Sequence, residues 1–93
     1  MAVGFVIEVT GDVQSLYDQA MAELDPAAHP MDGLIFHVAG PVAGGWRVID
    51  VWESQAKFST FVETRLGPIL RKVGMPQPAI TPFEVHNFMH GRA

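Results

Sequence analysis

The middle of the chain carries two short apolar segments separated by turn-forming residues, and this pattern most restricts the possible folds. The first segment is Gly33–Ala39 and the second is Trp46–Trp52. The six residues between them, Gly40–Gly45, include three glycines and a proline. So short a connection joins antiparallel strands, because a parallel crossover needs about a dozen residues or more. The sequence therefore predicts a central β-hairpin.

A strand and a helix are predicted before the hairpin. Val3–Thr10 alternates apolar residues on one face, as a half-buried strand does. Asp12 is the expected helix N-cap, and an apolar stripe at helical spacing runs from Val13 to Leu24. Asp25-Pro26 is the expected end, because a residue before proline resists the helical conformation.

A second helix and a fourth strand are predicted after the hairpin. Ser54 is the expected N-cap of a helix that buries phenylalanines at 58 and 61. Gly67-Pro68 interrupts its pattern, so Pro68–Val73 is expected to form a short separate helix. Ile80–Met89 has the composition of a last strand.

The resulting order, β-α-β-β-α-β, predicts one α+β domain over residues 1–93 with the ferredoxin-like plan. Both helices should cover one face of a four-stranded antiparallel sheet, since crossovers are right-handed. The other face keeps alternating apolar residues and would be uncovered. Only 17% of the residues are charged, so we expect a homodimer that buries this face.

Charge and hydropathy exclude several classes. The net charge is −4, and no cluster of basic residues is larger than the pair Arg71-Lys72, so nucleic-acid binding is not expected. No apolar run approaches the length of a membrane span, and the N-terminal residues lack a basic signal region. The chain has no cysteine, which removes disulfides and thiolate metal sites. A cytoplasmic location is the expectation.

The second strand of the hairpin carries an unusual polar residue. Asp50 lies between Trp46 and Trp52 on one strand face. Aromatic side chains around one carboxylate suggest a substrate pocket, in which Asp50 acts as a general base and Trp52 forms part of the wall. A buried aspartate bonded to a backbone amide or an arginine is the structural alternative.

Two histidines are the other candidates for proton transfer. With the hairpin turn centred near Val42-Ala43, His37 faces Val48 and shares a side with Asp50. His86, in the middle of the predicted last strand, would complete the pocket. His37, His86 and Glu84 could ligate a metal in principle, but no metal-binding motif supports this, and no metal is predicted.

Three aromatic residues complete the candidate substrate site. Tyr17 lies on the apolar stripe of the first helix and would offer its hydroxyl to a substrate oxygen. Phe36, beside His37, and Phe61, on the second helix, are expected to contact the substrate. Core packing is the structural alternative for Tyr17.

The run Val48-Ile-Asp-Val-Trp-Glu-Ser54, followed by Ala56-Lys57-Phe58, resembles the dimeric α+β barrel superfamily. The closest similarity is to its antibiotic-biosynthesis-monooxygenase-like branch, and it extends over about Val3 to Met89. The superfamily includes cofactor-independent oxygenases of polycyclic aromatics, haem-degrading enzymes and polyketide cyclases, so the resemblance implies a fold more than an activity.

The haem-degrading branch fits poorly. Its members pair a tryptophan like Trp52 with an axial histidine about ten residues later and carry an asparagine on the first strand. This chain has Phe61 and Val62 at the first position and Ile7 and Glu8 at the second.

Among the activities of the superfamily, the leading expectation is a cofactor-independent monooxygenase acting on an aromatic or polyketide-like substrate. His37 or Asp50 would remove a proton, Trp52 would form the wall, and Tyr17 or His86 would stabilise the oxyanion. A polyketide cyclase using the same groups and a non-catalytic dimeric ligand-binding or accessory protein are the alternatives.

Overall fold

The computed structural model describes residues 1–91. Its elements follow the predicted order, including the short helix that was expected after the second one. They are β1 (Val3–Thr10), α1 (Gln14–Leu24), β2 (Leu34–Val42), β3 (Gly45–Trp52), α2 (Gln55–Phe61), α3 (Gly67–Val73) and β4 (Ala79–Glu84). The strands form one antiparallel sheet in the order β2-β3-β1-β4, which is the predicted ferredoxin-like plan.

The hairpin is tighter than the sequence suggested. β2 extends to Val42 and β3 begins at Gly45, so the loop consists of Ala43 and Gly44 alone. Gly44 adopts a φ of +74°, which glycine tolerates without strain. Pro41 lies inside β2 because β2 is an edge strand, where a missing N–H costs no ladder bond to a further strand.

Helix starts were predicted with mixed success. The Ser54 hydroxyl accepts a hydrogen bond from the Lys57 N–H at 3.1 Å, which confirms the predicted cap of α2. The predicted Asp12 cap is wrong, because α1 begins at Gln14 after Val13, with no side-chain cap. At the other end of α1, Asp25 takes the left-handed conformation that commonly ends a helix.

The second helix does not break before its proline. A π-helical turn, Val62–Leu66, connects α2 to α3, and the Gly67 N–H donates to the Val62 carbonyl five residues earlier. Pro68 has no N–H to donate to the preceding turn, and it lies where the π-helical turn passes into α3. The interruption seen in the sequence is therefore a bulge within a continuous helical segment.

The core lies between the sheet and the helices in two clusters. One contains Phe5, Trp52, Phe58 and Phe61 together with Leu24. The other contains Val9, Val13 and Trp46. Both clusters draw on the same faces of β1 and β3, so the space between them is bounded by that face and by α1.

No helix among residues 1–91 has the length and apolar character that crossing a membrane requires.

Candidate active site

One charged side chain is buried among the described residues, and it belongs to β3. Alternation along this strand points Trp46, Val48, Asp50 and Trp52 toward the helices. Asp50 is only 6% exposed. A carboxylate at such depth needs partners for both oxygens, because an unpaired buried charge is strongly unfavourable.

Asp50 receives both partners from side chains. The Nδ1 atom of His37 lies 2.6 Å from one carboxylate oxygen, and the Trp52 indole N–H donates to the other at 3.2 Å. A carboxylate only accepts hydrogen bonds, so Nδ1 of His37 carries a proton and donates. This contact fixes the tautomer of the imidazole and leaves its Nε2 as the acceptor when the ring is neutral.

His37 meets Asp50 because the two residues are direct cross-strand partners in the hairpin. The predicted register placed His37 opposite Val48 and was wrong by two residues, since the turn is shorter and lies one position later. A shift of two preserves the face of every side chain. The prediction that His37 and Asp50 share a side of the sheet is therefore confirmed.

Tyr17 reaches the free end of the imidazole from α1. Its hydroxyl lies 2.6 Å from Nε2 of His37, and its ring packs 5.1 Å from that of Trp46. Burial raises the pKa of the Tyr17 phenol, and the negative charges of Asp50 and Asp18 raise it further. The phenol thus stays protonated and donates to Nε2.

These groups form part of the wall of a cavity of about 290 Å³ between the sheet and the helices. Most of its lining is apolar and comes from both core clusters, the π-helical turn and α3. Arg71, Gln77 and Ile80 are its exposed lining residues, so it opens to solvent between α3 and β4. Five of the predicted site residues line it: Tyr17, His37, Asp50, Trp52 and Phe61.

Phe36 does not belong to this cavity. It points to the opposite face of the sheet, is 40% exposed, and lies 6.1 Å from the ring of Phe88. Its neighbour His37 faces the helices, and adjacent strand residues point to opposite faces. Phe36 was predicted to contact the substrate, but it does not line this cavity.

His86 also lies away from the cavity. The predicted strand to Met89 is too long, because β4 ends at Glu84 and His86 is exposed beyond it. β4 ends at Glu84 because its partner strand β1 begins at Val3, directly opposite. Beyond that pair, only the Val85 N–H donates a hydrogen bond to β1's side, to the Ala2 carbonyl. The expected completion of the pocket by His86 does not occur.

Two features of the site were missed in the sequence. The Trp52 indole was expected as a wall, yet its N–H also holds Asp50. The Trp46 indole nitrogen is buried without a hydrogen-bond partner among residues 1–91, although its ring lines the cavity. Only the acidic residue between two tryptophans could have signalled the first contact.

No group of three or more potential metal-ligating side chains occurs within the part of the chain that the structure describes.

Comparisons with solved structures identify the fold. SnoaB of Streptomyces nogalater, a cofactor-independent oxygenase, superposes with a TM-score of 0.68 at 15% identity, covering 95% of this chain and 96% of its own. A proposed antibiotic biosynthesis monooxygenase of Caulobacter crescentus gives 0.73 at 12% identity, covering 92% and 91%. NE2512 of Nitrosomonas europaea, of unknown function, gives 0.73 at 12%, covering 99% and 96%.

No protein-family model matches the sequence, and no curated protein matches it significantly. The structural likeness, at such low identity, establishes the shared fold, and this is the fold that the resemblance in the sequence implied.

Proposed function

We propose that this protein binds a small aromatic molecule in the cavity and removes a proton from it, in a cofactor-independent oxygenation. The observation that carries the proposal is the hydrogen-bonded chain Tyr17–His37–Asp50 at the wall of a mostly apolar cavity. An imidazole oriented by a buried carboxylate is the usual arrangement of a general base.

The cavity supports the choice of ligand. Its volume, about 290 Å³, is at the lower end of the usual range for small-molecule sites, about 300–1,000 Å³. Trp46, Trp52 and Phe61 provide aromatic surface, and apolar side chains supply most of the remaining wall. A ligand of two or three fused rings with one acidic proton suits this lining.

The assignment of the base can be narrowed. Both oxygens of Asp50 are occupied, so Asp50 acts as the group that orients His37 and stabilises its imidazolium form. His37 is the base. The sequence offered His37 and Asp50 as proton acceptors. His37 has a second acceptor atom, Nε2, which points away from Asp50 and toward Tyr17.

The proposed reaction balances with dioxygen as the co-reactant. Removal of a proton from an activated ring CH₂ group leaves a carbanion, which gives an electron to dioxygen. The two radicals combine to a peroxide anion, which takes back the proton held by His37 to become a hydroperoxide and then loses water to leave a ring carbonyl. The net change is one CH₂ group and one O₂ converted to one C=O group and one H₂O. The cofactor-independent oxygenase SnoaB, which shares the fold, supports this choice of chemistry.

The test uses 1,8-dihydroxyanthrone as the probe, with oxygen uptake and quinone absorbance as readouts after subtraction of spontaneous oxidation. We expect His37→Asn to lower the rate by about a hundredfold or more, the usual contribution of a general base. Glu23→Gln is the matched control, because Glu23 lies on α1 and pairs with Lys72 at the surface.

Absence of oxygen uptake by the wild-type protein would overturn the oxygenase proposal. Equal rates for His37→Asn and the wild type would overturn the assignment of the base.

We also propose that two copies associate through the open face of the sheet. Phe36, Val38 and Phe83 are 40–50% exposed there. On this side the segment after β4 crosses the sheet and brings Phe88 within 6.1 Å of Phe36, but it leaves these side chains exposed. Sheets bury such apolar faces by packing against each other. A second copy is the expected partner. In a two-fold dimer, this apolar face of one copy packs against the same face of the other.

A further inference from the structure

The two ring nitrogens of His37 are both occupied. Nδ1 lies 2.6 Å from Asp50, and Nε2 lies 2.6 Å from the Tyr17 hydroxyl. A substrate in the cavity therefore finds no free nitrogen on the imidazole. Direct proton transfer to His37 would require the substrate to displace Tyr17 from a short hydrogen bond.

The Tyr17 hydroxyl, unlike His37, can still accept a hydrogen bond from a substrate. It donates its proton to Nε2, and a phenol oxygen also has lone pairs that can accept. No other side-chain hydrogen bond to this oxygen occurs among residues 1–91, and Tyr17 lines the cavity. Its ring is held by the tilted packing against Trp46.

From this geometry we infer that Tyr17 is the catalytic residue that meets the substrate, and that it relays the substrate's proton to His37. The inference rests on the proposed function and adds a residue role to it. The substrate proton bonds to the Tyr17 oxygen as the proton already on that oxygen moves to Nε2. The products are the substrate anion, a neutral Tyr17 and an imidazolium paired with the Asp50 carboxylate.

The surroundings of Tyr17 suit a relay better than a resting tyrosinate. Burial, with the charges of Asp50 and Asp18, raises the pKa of the phenol, so the anion is disfavoured in the free protein. Passing one proton on while receiving another never leaves a full negative charge on the oxygen. His37 accepts the charge instead, beside a carboxylate that stabilises it.

Proton transfer can be tested without oxygen. 4-Nitrophenol absorbs differently in its neutral and anionic forms, and its binding can be followed by quenching of Trp46 and Trp52, which line the cavity. In mildly acidic buffer under argon, we expect the wild-type protein to bind it largely as the anion. Tyr17→Phe removes one oxygen and keeps the ring, and we expect it to lower the ratio of anionic to neutral bound probe about tenfold, which corresponds to one pKa unit of the probe.

The variants separate the possible outcomes. His37→Asn should lose ionisation as Tyr17→Phe does, and Glu23→Gln should behave as the wild type, with circular dichroism confirming that each variant is folded. Ionisation retained in Tyr17→Phe but lost in His37→Asn would overturn the relay and show direct transfer to His37. A probe that stays neutral or unbound in the wild type would also overturn it.

The same measurements distinguish the relay from the oxygenase proposal. Tyr17-dependent ionisation without oxygen uptake from 1,8-dihydroxyanthrone supports the relay and overturns the oxygenation, and it would favour an aldol cyclisation initiated by the same base. Oxygen uptake that persists in Tyr17→Phe overturns the relay alone.

Discussion

Asp50 organises the site because it is buried and has two oxygens to satisfy. Its partners come from different places, with His37 across the hairpin and Trp52 two residues along the same strand. Loss of either donor would leave a buried oxygen without a hydrogen bond, at a cost of about 1–3 kcal/mol. The orientation of the imidazole, and through it that of the Tyr17 hydroxyl, depends on this one carboxylate.

The ionisation of Tyr17 can be measured directly, because it is the chain's single tyrosine. Burial and the two aspartates raise its pKa above the ordinary value of 10.0. We expect an ultraviolet absorbance titration to give a midpoint above that value, and Asp18→Asn to lower the midpoint slightly. A midpoint at or below the ordinary value would contradict the burial of the phenol.

The same pKa shift affects stability with a definite sign. The unfolded chain releases the Tyr17 proton at the ordinary value of 10.0, while the folded protein holds it to higher pH. The stabilisation is fully present below the unfolded pKa and is lost as the pH rises through the folded pKa. Denaturation at increasing alkaline pH should show a steeper loss in the wild type than in Tyr17→Phe.

At the scale of elements, β1 is the strand that joins the hairpin to β4. It lies between β3 and β4, and its start at Val3 sets where β4 stops pairing. Gly4 of β1 pairs with Phe83 of β4, whose ring covers the space that a side chain would occupy. The close packing of this aromatic ring on the open face therefore depends on a glycine.

Gly4→Ala should destabilise the protein. The added methyl would lie 2.2 Å from the Phe83 ring, which must then move off the strand. The contacting atoms are the far end of a half-exposed ring that can swing away, so we expect a loss of only about 0.5 kcal/mol in the free energy of unfolding. Urea denaturation at a fixed protein concentration measures it.

Gly40→Ala is the matched control for this substitution. Gly40 also lies in a strand, has nothing within 4 Å of the position of an added Cβ, and should change stability little or increase it. Equal destabilisation by both substitutions would show that the Phe83 contact is not the cause.

The whole molecule exposes more surface than its size requires. Its accessible area is 6135 Å², whereas a compact monomer of this length exposes about 5,300 Å². The difference is similar to the area of about 800 Å² that each partner buries in a standard interface. Part of that area lies on the open sheet face, where Phe36, Val38 and Phe83 are 40–50% exposed.

A charge placed on this face should prevent the proposed dimer from forming. Val38 is 50% exposed on β2, opposite Ile49 of β3. We expect the wild-type protein to sediment as a dimer at micromolar concentration and Val38→Glu to sediment as a monomer. Ala22→Glu, on the exposed side of α1, should leave the dimer intact, and a monomeric wild type would contradict the proposed association.

The sequence alone determined the kind and order of the elements and, except for the end of β4, their approximate extent. Alternation and helical spacing record which face of each element is buried, and that information is local, so β1, the cap at Ser54 and the hairpin could all be read from it. The sequence also predicted correctly that His37 and Asp50 share one side of the sheet. A register error of two residues does not change the face on which a side chain lies.

Only the tertiary structure decided which side chains meet. The contact between His37 and Asp50 depends on a two-residue turn, and the exclusion of His86 depends on where β1 begins, far away in the chain. The roles of Phe36 and Tyr17 could not be predicted from the sequence for the same reason. Phe36 faces away from the site, whereas Tyr17 reaches it from α1 and completes the hydrogen-bonded chain. Periodicity records burial along one segment, whereas catalytic distances arise from register and packing between segments.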